Sequence, residues 1–326
     1  MMNDIRFVRY GDLILFDEKS FLLKFNINSK DDDESFRLIQ TNSNEKFEQL
    51  RKKLRFKRAA LISKIFDDNF RTPNVYLFYD YDSNNPIDPW VIQIDNGIKY
   101  SFDVTRTMFC KGNISEKLRL AKFDCHDEIV IDLFAGIGYF ALIFAVHCHA
   151  RHVYCCEWNP AAIEALRRNI RLNHVEDRMT ICEGDNHHSC PHGIGHRIHM
   201  GLIPTSLESL EIGCQALDLS SDKDLFMHIH ENLSYFEQIK QQSNGENKPQ
   251  IIEEQRKKWA TNICEQISTI LEKLSNIQFN VTYNQITRIK RYAPHIDHMV
   301  VDIVISIRLH RMKLFIHNVC QLFLGQ

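Results

Sequence analysis

The sequence lacks a long apolar run, an excess of charge of one sign and cysteine pairs with Cys-x-x-Cys spacing. No stretch approaches the roughly 20 apolar residues that a helix needs to span a bilayer, so we expect no membrane anchor. The 326 residues include 40 Lys and Arg against 42 Asp and Glu, and no basic field surrounds the whole chain. Any contact with nucleic acid must therefore come from local basic patches.

The ten cysteines lack the Cys-x-x-Cys spacing of common metal and redox motifs. No signal peptide precedes them, so we expect reduced thiols in a soluble, cytoplasmic protein. A content of 44% hydrophobic and 25% charged residues predicts one large core with a small additional domain.

Residues 129–147 begin like a nucleotide-binding α/β unit. Residues 129–133 form a short apolar run without alternation, which is typical of a parallel strand covered on both faces. Residues 134–138 read Phe-Ala-Gly-Ile-Gly and predict a turn into a helix over residues 139–147. Small residues at such a turn let backbone amides and a helix N-terminus approach a ligand.

Acidic residues end each of three predicted strands, over residues 129–133, 152–156 and 178–182. Asp132 ends the first strand, Glu157 follows the second, and Asp185 with Asn186 follows the third. A carboxylate at the position of Glu157 can accept both hydroxyls of a ribose. The alternative is that the three acids are ordinary polar residues on the solvated rim of a sheet.

Seven segments carry a more specific pattern than a general nucleotide fold. Residues 132–140 read Asp-Leu-Phe-Ala-Gly-Ile-Gly-Tyr-Phe and residues 156–160 read Cys-Glu-Trp-Asn-Pro. The others are residues 96–105, 108–117, 164–169, 201–206 and 292–298. Together they resemble the wybutosine-synthesising tRNA 3-amino-3-carboxypropyl transferases, a class I S-adenosylmethionine-dependent family related to the tRNA guanine-N1 methyltransferases.

The resemblance implies an α/β fold with a class I methyltransferase-like, doubly wound, Rossmann-like sheet. We expect a smaller N-terminal α+β domain over residues 1–93 that contacts tRNA. The transferase domain is predicted over residues 94–310, with a flexible loop at about 237–250, and a C-terminal tail over 311–326.

The resemblance also implies the reaction. The 3-amino-3-carboxypropyl group of S-adenosylmethionine would move to ring carbon seven of 4-demethylwyosine, next to the anticodon of tRNA(Phe), and methylthioadenosine would be released. We expect a monomer that needs no metal. Three alternatives stay open: a tRNA guanine-N1 methyltransferase, a methyltransferase of a small metabolite, and a noncatalytic tRNA-binding module.

Two segments favour aminocarboxypropyl transfer over guanine methylation. The methyltransferases carry Asn-Pro-Pro-Tyr after the fourth strand, whereas residues 202–205 read Leu-Ile-Pro-Thr. They also carry Ser-Pro-Arg before the sheet, whereas residues 110–113 read Cys-Lys-Gly-Asn. The chain departs from its own family pattern at Cys110, where Ser is usual, and at His187, where Arg is usual.

The resemblance assigns roles to individual residues. Glu157 would hold the ribose, and Asp185 with Asn186 the adenine. The residues expected near the remaining parts of the donor are Phe134, Gly136, Gly138, Cys110, Asn113 and Lys117. Lys117 could instead be a surface helix lysine. Pro204, Thr205 and His295 would border the acceptor base, and the pattern identifies no general base, although His295 and His298 are candidates.

A local concentration of Cys and His follows the third predicted strand. Its members are Cys182, His187, His188, Cys190, His192, His196 and His199. Their irregular spacing matches no common zinc finger, so we predict no metal site. His187 is expected to border the donor, and the others to be loop residues.

The segments outside the nucleotide unit predict further elements. Short strands are expected within residues 6–25, an acidic loop at 31–34, and a strand at 75–79. A basic helix at 47–66 is a candidate grip on the tRNA backbone, although a solvated amphipathic face explains it equally well from the residues alone. The later predictions are a turn at 83–86, strands at 197–203, 224–230, 279–289 and 299–307, and helices at 207–217 and 252–274.

Overall fold

The computed structural model describes residues 5–41, 43–82, 86–236 and 248–307. Most of the predicted turn at 83–86, most of the predicted loop at 237–250 and the tail at 311–326 lie outside these residues. The chain divides into two compact units, the first made of Met1–Lys111 with Asn159–Asn173, the second of Gly112–Trp158 with His174–Gln326. The predicted boundary between residues 93 and 94 stays a prediction.

The first unit contains a four-stranded sheet in the order β1-β2-β3-β4. Its strands are Phe7–Tyr10, Leu13–Asp17, Arg58–Ile62 and Val75–Asp80, and the strand predicted at 75–79 is thereby confirmed. Helices α1, α2 and α3 span Glu18–Phe25, Asp33–Gln40 and Glu45–Leu54. Buried aromatic side chains fill the core of the sheet and helices, among them Phe16, Phe21, Phe47 and Phe78.

Three predictions for this unit were right only in part. Strands β1 and β2 lie within the range 6–25 predicted for short strands, but residues 18–25 are helical, because Asp17 caps α1 by accepting the Ser20 N–H at 3.0 Å. The acidic segment 31–34 is not only a loop, since Asp32 caps α2 in the same way. The predicted helix at 47–66 ends at Leu54, and the apolar run from Ala59 onward pairs as β3 with both β2 and β4.

A hairpin and one helix complete the first unit. Strands β5 (Trp90–Asp95) and β6 (Ile98–Asp103) pair antiparallel, and α6 (Pro160–Leu172) packs against them. Buried Asn169 accepts the Ser101 N–H at 2.6 Å, and the Arg168 guanidinium lies 3.4 Å from the Trp90 ring centroid. Polar and cation–π contacts therefore join α6 to the hairpin.

The second unit contains a seven-stranded sheet in the order β12-β13-β11-β10-β7-β8-β9. The five parallel strands, β7 to β11, are Ile129–Asp132, His152–Glu157, Met179–Glu183, Arg197–Met200 and Leu225–Ser234. The antiparallel strands β12 and β13 are Phe279–Ala293 and Ile296–Ile307. This order is that of a doubly wound sheet, and the predicted fold class is confirmed.

Three helices were predicted in the second unit, and each exists with different ends: α5 (Ala141–Val146), α8 (Leu210–Ala216) and α9 (Lys248–Leu274). Two further helices were not predicted, α4 (Ile114–Leu120) and α7 (Asn186–Ser189), and 3₁₀ turns lie at Lys111–Asn113 and Leu207–Ser209. The fourth parallel strand ends at Met200 rather than at residue 203, and β12 runs four residues past its predicted end.

The strand order reverses at one place in the sheet, between β7 and β10. Connections from β7 run toward β8 and β9, whereas β10 and β11 lie on the other side of β7. Ligands of open α/β sheets bind at such a reversal, beyond the carboxyl ends of the strands. The ends of β7 and β10 are therefore where a site is expected. No helix in the described ranges is long and apolar enough to cross a membrane.

Candidate active site

The turn after β7 is built by backbone hydrogen bonds and one buried acid. Asp132 is fully buried, and its carboxylate accepts the Phe134 N–H at 3.2 Å. The Ala135 N–H donates to the Cys156 carbonyl at 3.0 Å, which ties the turn to β8. Because Asp132 has no exposure, the alternative of a solvated rim residue is wrong at this position.

Two glycines give the turn its shape. Gly136 has φ +56° and Gly138 has φ +93°, backbone conformations that side chains rarely adopt. A Cβ added to Gly136 would lie 2.9 Å from the Tyr139 ring, so a side chain there would force a movement. Both predicted glycines therefore form a close-packed turn at the end of β7, suited to a ligand that approaches the backbone.

Glu157 joins the second strand to the same turn. One carboxylate oxygen accepts the Gly136 N–H at 2.7 Å, and the other accepts the Trp158 N–H at 3.0 Å. Each carboxylate oxygen can accept a further hydrogen bond. Because the side chain is half-buried rather than enclosed, the carboxylate can bind the hydroxyls of a ribose while it holds the turn.

Asp185 and Asn186 differ in what they contact. Asp185 caps α7, and hydrogen bonds from the backbone and ring of His187 hold the pKa of its carboxyl below the usual range. Asn186 is buried, donates to the Leu133 carbonyl at 3.2 Å and lies 3.4 Å from the Ser209 hydroxyl. The Asn186 side chain thus braces the end of β7, and its contact with adenine stays a prediction.

Lys117 is fully buried on α4, so it is not a surface helix lysine. Its ammonium lies 5.9 Å from the ring centroid of Tyr139, which belongs to the glycine turn. A buried cation requires compensating partners, and a position beside the turn suits contact with an anionic group. Asn113 precedes α4 and accepts from the Lys290 ammonium at 3.3 Å. Cys110 is half-buried and belongs to the first unit.

The residues predicted to border an acceptor follow β10. The Ile203–Pro204 peptide is cis, and the Pro204 carbonyl accepts the Asn232 N–H at 2.7 Å. Thr205 pairs with Glu231, a half-buried acid that sequence reasoning missed. Burial raises the pKa of Glu231, although hydrogen bonds from Trp259 and Thr205 oppose that rise. His295 is exposed and has φ +59° in the turn between β12 and β13.

Four buried histidines lie in the same sheet, on β10, β11 and β13. His230 and His298 are joined through Nδ1 and Nε2 at 2.9 Å, and His199 lies 3.4 Å from the Asp132 carboxylate. His199 is thus a core strand residue, and its prediction as a loop residue was wrong. His298 is also buried, which leaves His295 as the exposed member of the predicted pair.

Burial keeps three of these histidines, His228, His230 and His298, neutral near pH 7. It lowers the pKa of His298 to about 4, with the nearby Lys290 charge adding to the effect. It also lowers the pKa of His228 to about 4, and hydrogen bonding to Asp302 only partly opposes this. Burial would raise the pKa of Asp302, but bonds from His228 and Arg119 lower it to about 2.

The Cys and His residues on and after β9 differ in burial. Cys190 is buried and Cys182 half-buried, while His187 and His188 lie exposed on α7. Within the described residues, no group of three or more His, Cys, Asp or Glu side chains has a metal-binding arrangement.

Known proteins share both the sequence and the fold of this chain. A profile described as the TRM5/TYW2 methyltransferase domain matches residues 91–255. The tRNA wybutosine-synthesizing protein 2 homolog of Danio rerio is 37% identical over 305 residues, covering 90% of this chain and 70% of the relative.

Solved structures agree in fold. The structure of P. horikoshii TYW2 in complex with MeSAdo has a TM-score of 0.62 and 26% identity, and the match covers 92% of this chain and 90% of that one. Trm5b from Pyrococcus abyssi also has a TM-score of 0.62, at 19% identity, covering 92% of this chain and 75% of its own. The fold alone therefore does not separate the two branches of this group.

Proposed function

Because this chain belongs to the TRM5/TYW2 methyltransferase family, we propose that it moves the 3-amino-3-carboxypropyl group of S-adenosylmethionine to a tRNA base. The proposed acceptor is ring carbon seven of 4-demethylwyosine, next to the anticodon of tRNA(Phe). Support comes from the relative at 37% identity, which is named for wybutosine synthesis, and from a structural neighbour that holds MeSAdo.

The residues at the sheet reversal fit the donor. Glu157 would bind the ribose hydroxyls, and the turn containing Gly136 and Gly138 would let the adenosine lie against the backbone. S-adenosylmethionine supplies a sulfonium whose carbon substituents can be attacked with loss of a neutral thioether. Lys117, buried beside the turn, would hold the carboxylate of the donor and so fix which carbon faces the acceptor.

Orientation is the main contribution that these residues make. Holding the two reactants in one geometry can lower a barrier by roughly 7 to 11 kcal/mol in favourable cases. The observation that carries the choice of alkyl group is the loop at 202–205, where Leu-Ile-Pro-Thr replaces the Asn-Pro-Pro-Tyr of the methyltransferases. The loop lacks the Asn that would hold a guanine during methylation.

The identity of the spent donor tests this proposal. The enzyme is incubated with labelled S-adenosylmethionine and tRNA(Phe) that bears the 4-demethylwyosine precursor, and the small products are separated by chromatography. We expect methylthioadenosine, and none when the tRNA carries unmodified guanosine at that position. S-adenosylhomocysteine as the main product would instead establish a methyltransferase, and binding of tRNA without either product would indicate a noncatalytic module.

We also propose that the chain acts as a monomer in the cytoplasm and that its first unit contacts the tRNA. Nine cysteines fall within the described residues, and all are free thiols, which suits a reducing compartment. Light scattering with and without tRNA tests the monomer, and a particle of twice the mass of the chain would contradict it.

A further inference from the structure

Strand β12 is an exposed edge strand with charge of one sign. None of its 15 residues is buried, whereas its neighbour β13 is buried along most of its length. Arg288, Lys290 and Arg291 fall within four positions, and β12 contains no Asp or Glu. This is a local excess of positive charge in a chain whose total charge is nearly balanced, and it makes β12 a candidate binding surface.

Protection against edge-to-edge pairing does not account for these charges. Edge strands avoid such pairing with bulges or with charged side chains, lysine above all. Three shifts in register interrupt the pairing of β12 with β13, and two of them flank the basic residues, between Arg288 and Lys290 and between Arg291 and Ala293. The irregular edge is already a poor template for another strand, so uniform positive charge has a different use.

The acid near Arg288 is shared with a second cation. Arg288 lies 3.9 Å from Asp297, but Asp297 is nearer to Arg256, at 3.0 Å. On α9, by contrast, Lys257 and Lys258 each face a glutamate one turn earlier. The two lysines of α9 thus have acids on their own helix, whereas β12 contains none.

The basic segment also lies beside the donor side of the site. The Lys290 ammonium donates to Asn113 at 3.3 Å, and a Cβ on Gly112 would lie 3.0 Å from it. These two residues lead into α4, which carries Lys117. A polyanion bound along β12 would thus pass beside the segment that leads to Lys117.

Exposed aromatic rings continue the surface beyond the basic residues. Tyr292 is 55% exposed at the end of β12, and Phe236 is 51% exposed. The Phe236 ring lies 6.1 Å from the His295 ring in the turn between β12 and β13. Basic side chains combined with exposed rings suit RNA, because phosphates pair with cations and unstacked bases pack on rings.

We propose that Arg288, Lys290 and Arg291 bind the phosphates of the substrate RNA and that Tyr292 and Phe236 stack on its bases. This rests on the proposed function only in taking tRNA as the substrate. The surface is distinct from the basic helix of the first unit and would hold RNA next to the donor.

The test is the salt dependence of tRNA binding by the Arg288→Gln/Arg291→Gln variant of the full chain. Fluorescence anisotropy with a tRNA(Phe) transcript from 50 to 300 mM KCl gives log K against log salt. We expect the magnitude of the slope to decrease by about 1.4 to 1.8, since each of the two lost phosphate contacts removes about 0.7 to 0.9. Affinity for S-adenosylmethionine should stay within twofold, because neither arginine contacts the donor turn.

The control is Lys257→Gln/Lys258→Gln, which removes two charges from α9. Its slope should equal that of the unchanged protein. An unchanged slope in the arginine variant, or an equal decrease in the control, would overturn the proposal. If the double variant does not fold, Arg291→Gln and Tyr292→Ala are measured singly. These outcomes do not depend on the alkyl group transferred, so a methyltransferase product would reject the proposed function and leave this surface intact.

Discussion

The Glu157 carboxylate has one observed role and one proposed role: it accepts a hydrogen bond from the glycine turn, and it is expected to bind a ribose. Its register partner on β9 is Glu183, an exposed acid at the same height of the sheet. The sequence predicted the position of Glu157 from the strand and turn order. It could not show the bond to Gly136, because the two residues are separated by 21 positions and meet only when β7 and β8 pair.

Substitution of Glu157 by Ala should weaken donor binding. Loss of charged hydrogen bonds costs about 1.5 to 3 kcal/mol each, so we expect the Kd for S-adenosylmethionine to rise by roughly 10- to 100-fold. Calorimetric titration measures this, with Glu183→Ala as the matched strand-end control. Equal affinities of the Glu157 and Glu183 variants would remove Glu157 from the site.

Substitutions of Gly136 and Gly11 by Ala can separate the effect of a steric clash from the effect of backbone strain. Both have φ +56°, but a Cβ meets the Tyr139 ring only at Gly136 and nothing within 4 Å at Gly11. We expect Gly136→Ala to raise the donor Kd by about tenfold or more, and Gly11→Ala to lose about 1 to 2 kcal/mol of stability without a change in Kd. A Gly136 variant that binds the donor normally would contradict the close-packed turn.

At the scale of elements, strands with continuous apolar sequence were predictable, whereas short amphipathic helices at the surface were not. The five parallel strands were found because both faces are covered, which leaves continuous apolar sequence. Helix α1 was missed because its start depends on a single capping bond from Asp17. His199 and His298 were singled out, but their clustering with His228 and His230 was missed, because three strands supply the four residues and the contacts exist only across the sheet.

The histidine cluster should make stability depend on pH. His228 and His298 have folded pKa values of about 4, against 6.5 for an ordinary histidine, so the unfolded chain binds protons first. Stability is then full above pH 6.5 and is lost as pH falls toward 4, at most by roughly 1.4 kcal/mol per histidine for each unit of pH.

Urea unfolding at pH 7.5, 6.5 and 5.5 measures this loss. His298→Gln should flatten the dependence, whereas His126→Gln, which removes an exposed histidine, should leave it as it is. Identical pH dependence in the His298 variant and the unchanged protein would argue against a neutral buried cluster.

At the scale of the whole molecule, near-zero net charge forces RNA binding to depend on particular patches. In the first unit, Arg51 is bound to Glu48 and Arg58 to Asp12, so these two members of the predicted basic helix have structural partners. Lys52 and Lys53 lie exposed on α3. The family resemblance predicted from the sequence is confirmed. The sequence alone could not show that Arg51 and Arg58 are paired with acids.

The Lys52→Glu/Lys53→Glu variant should weaken tRNA binding. If both lysines contact phosphate, the magnitude of the slope of log K against log salt decreases by about 1.4 to 1.8 or more, and donor affinity is unchanged. Filter binding over a salt series provides the measurement, with Lys19→Glu/Lys24→Glu on α1 as the charge-matched control. A slope equal to that of the control would show that α3 does not contact the tRNA and is a solvated amphipathic face.

The first unit cannot be completed during synthesis until helix α6 has been made. The unit includes α6, whose Asn169 and Arg168 contact the hairpin of β5 and β6. Residues 1–111 therefore leave the ribosome without one of their packing partners, which follows only after residues 112–158 have been made. A nascent chain stalled before residue 159 should expose the hairpin face to proteases or chaperones, and one extended well beyond residue 173 should protect it.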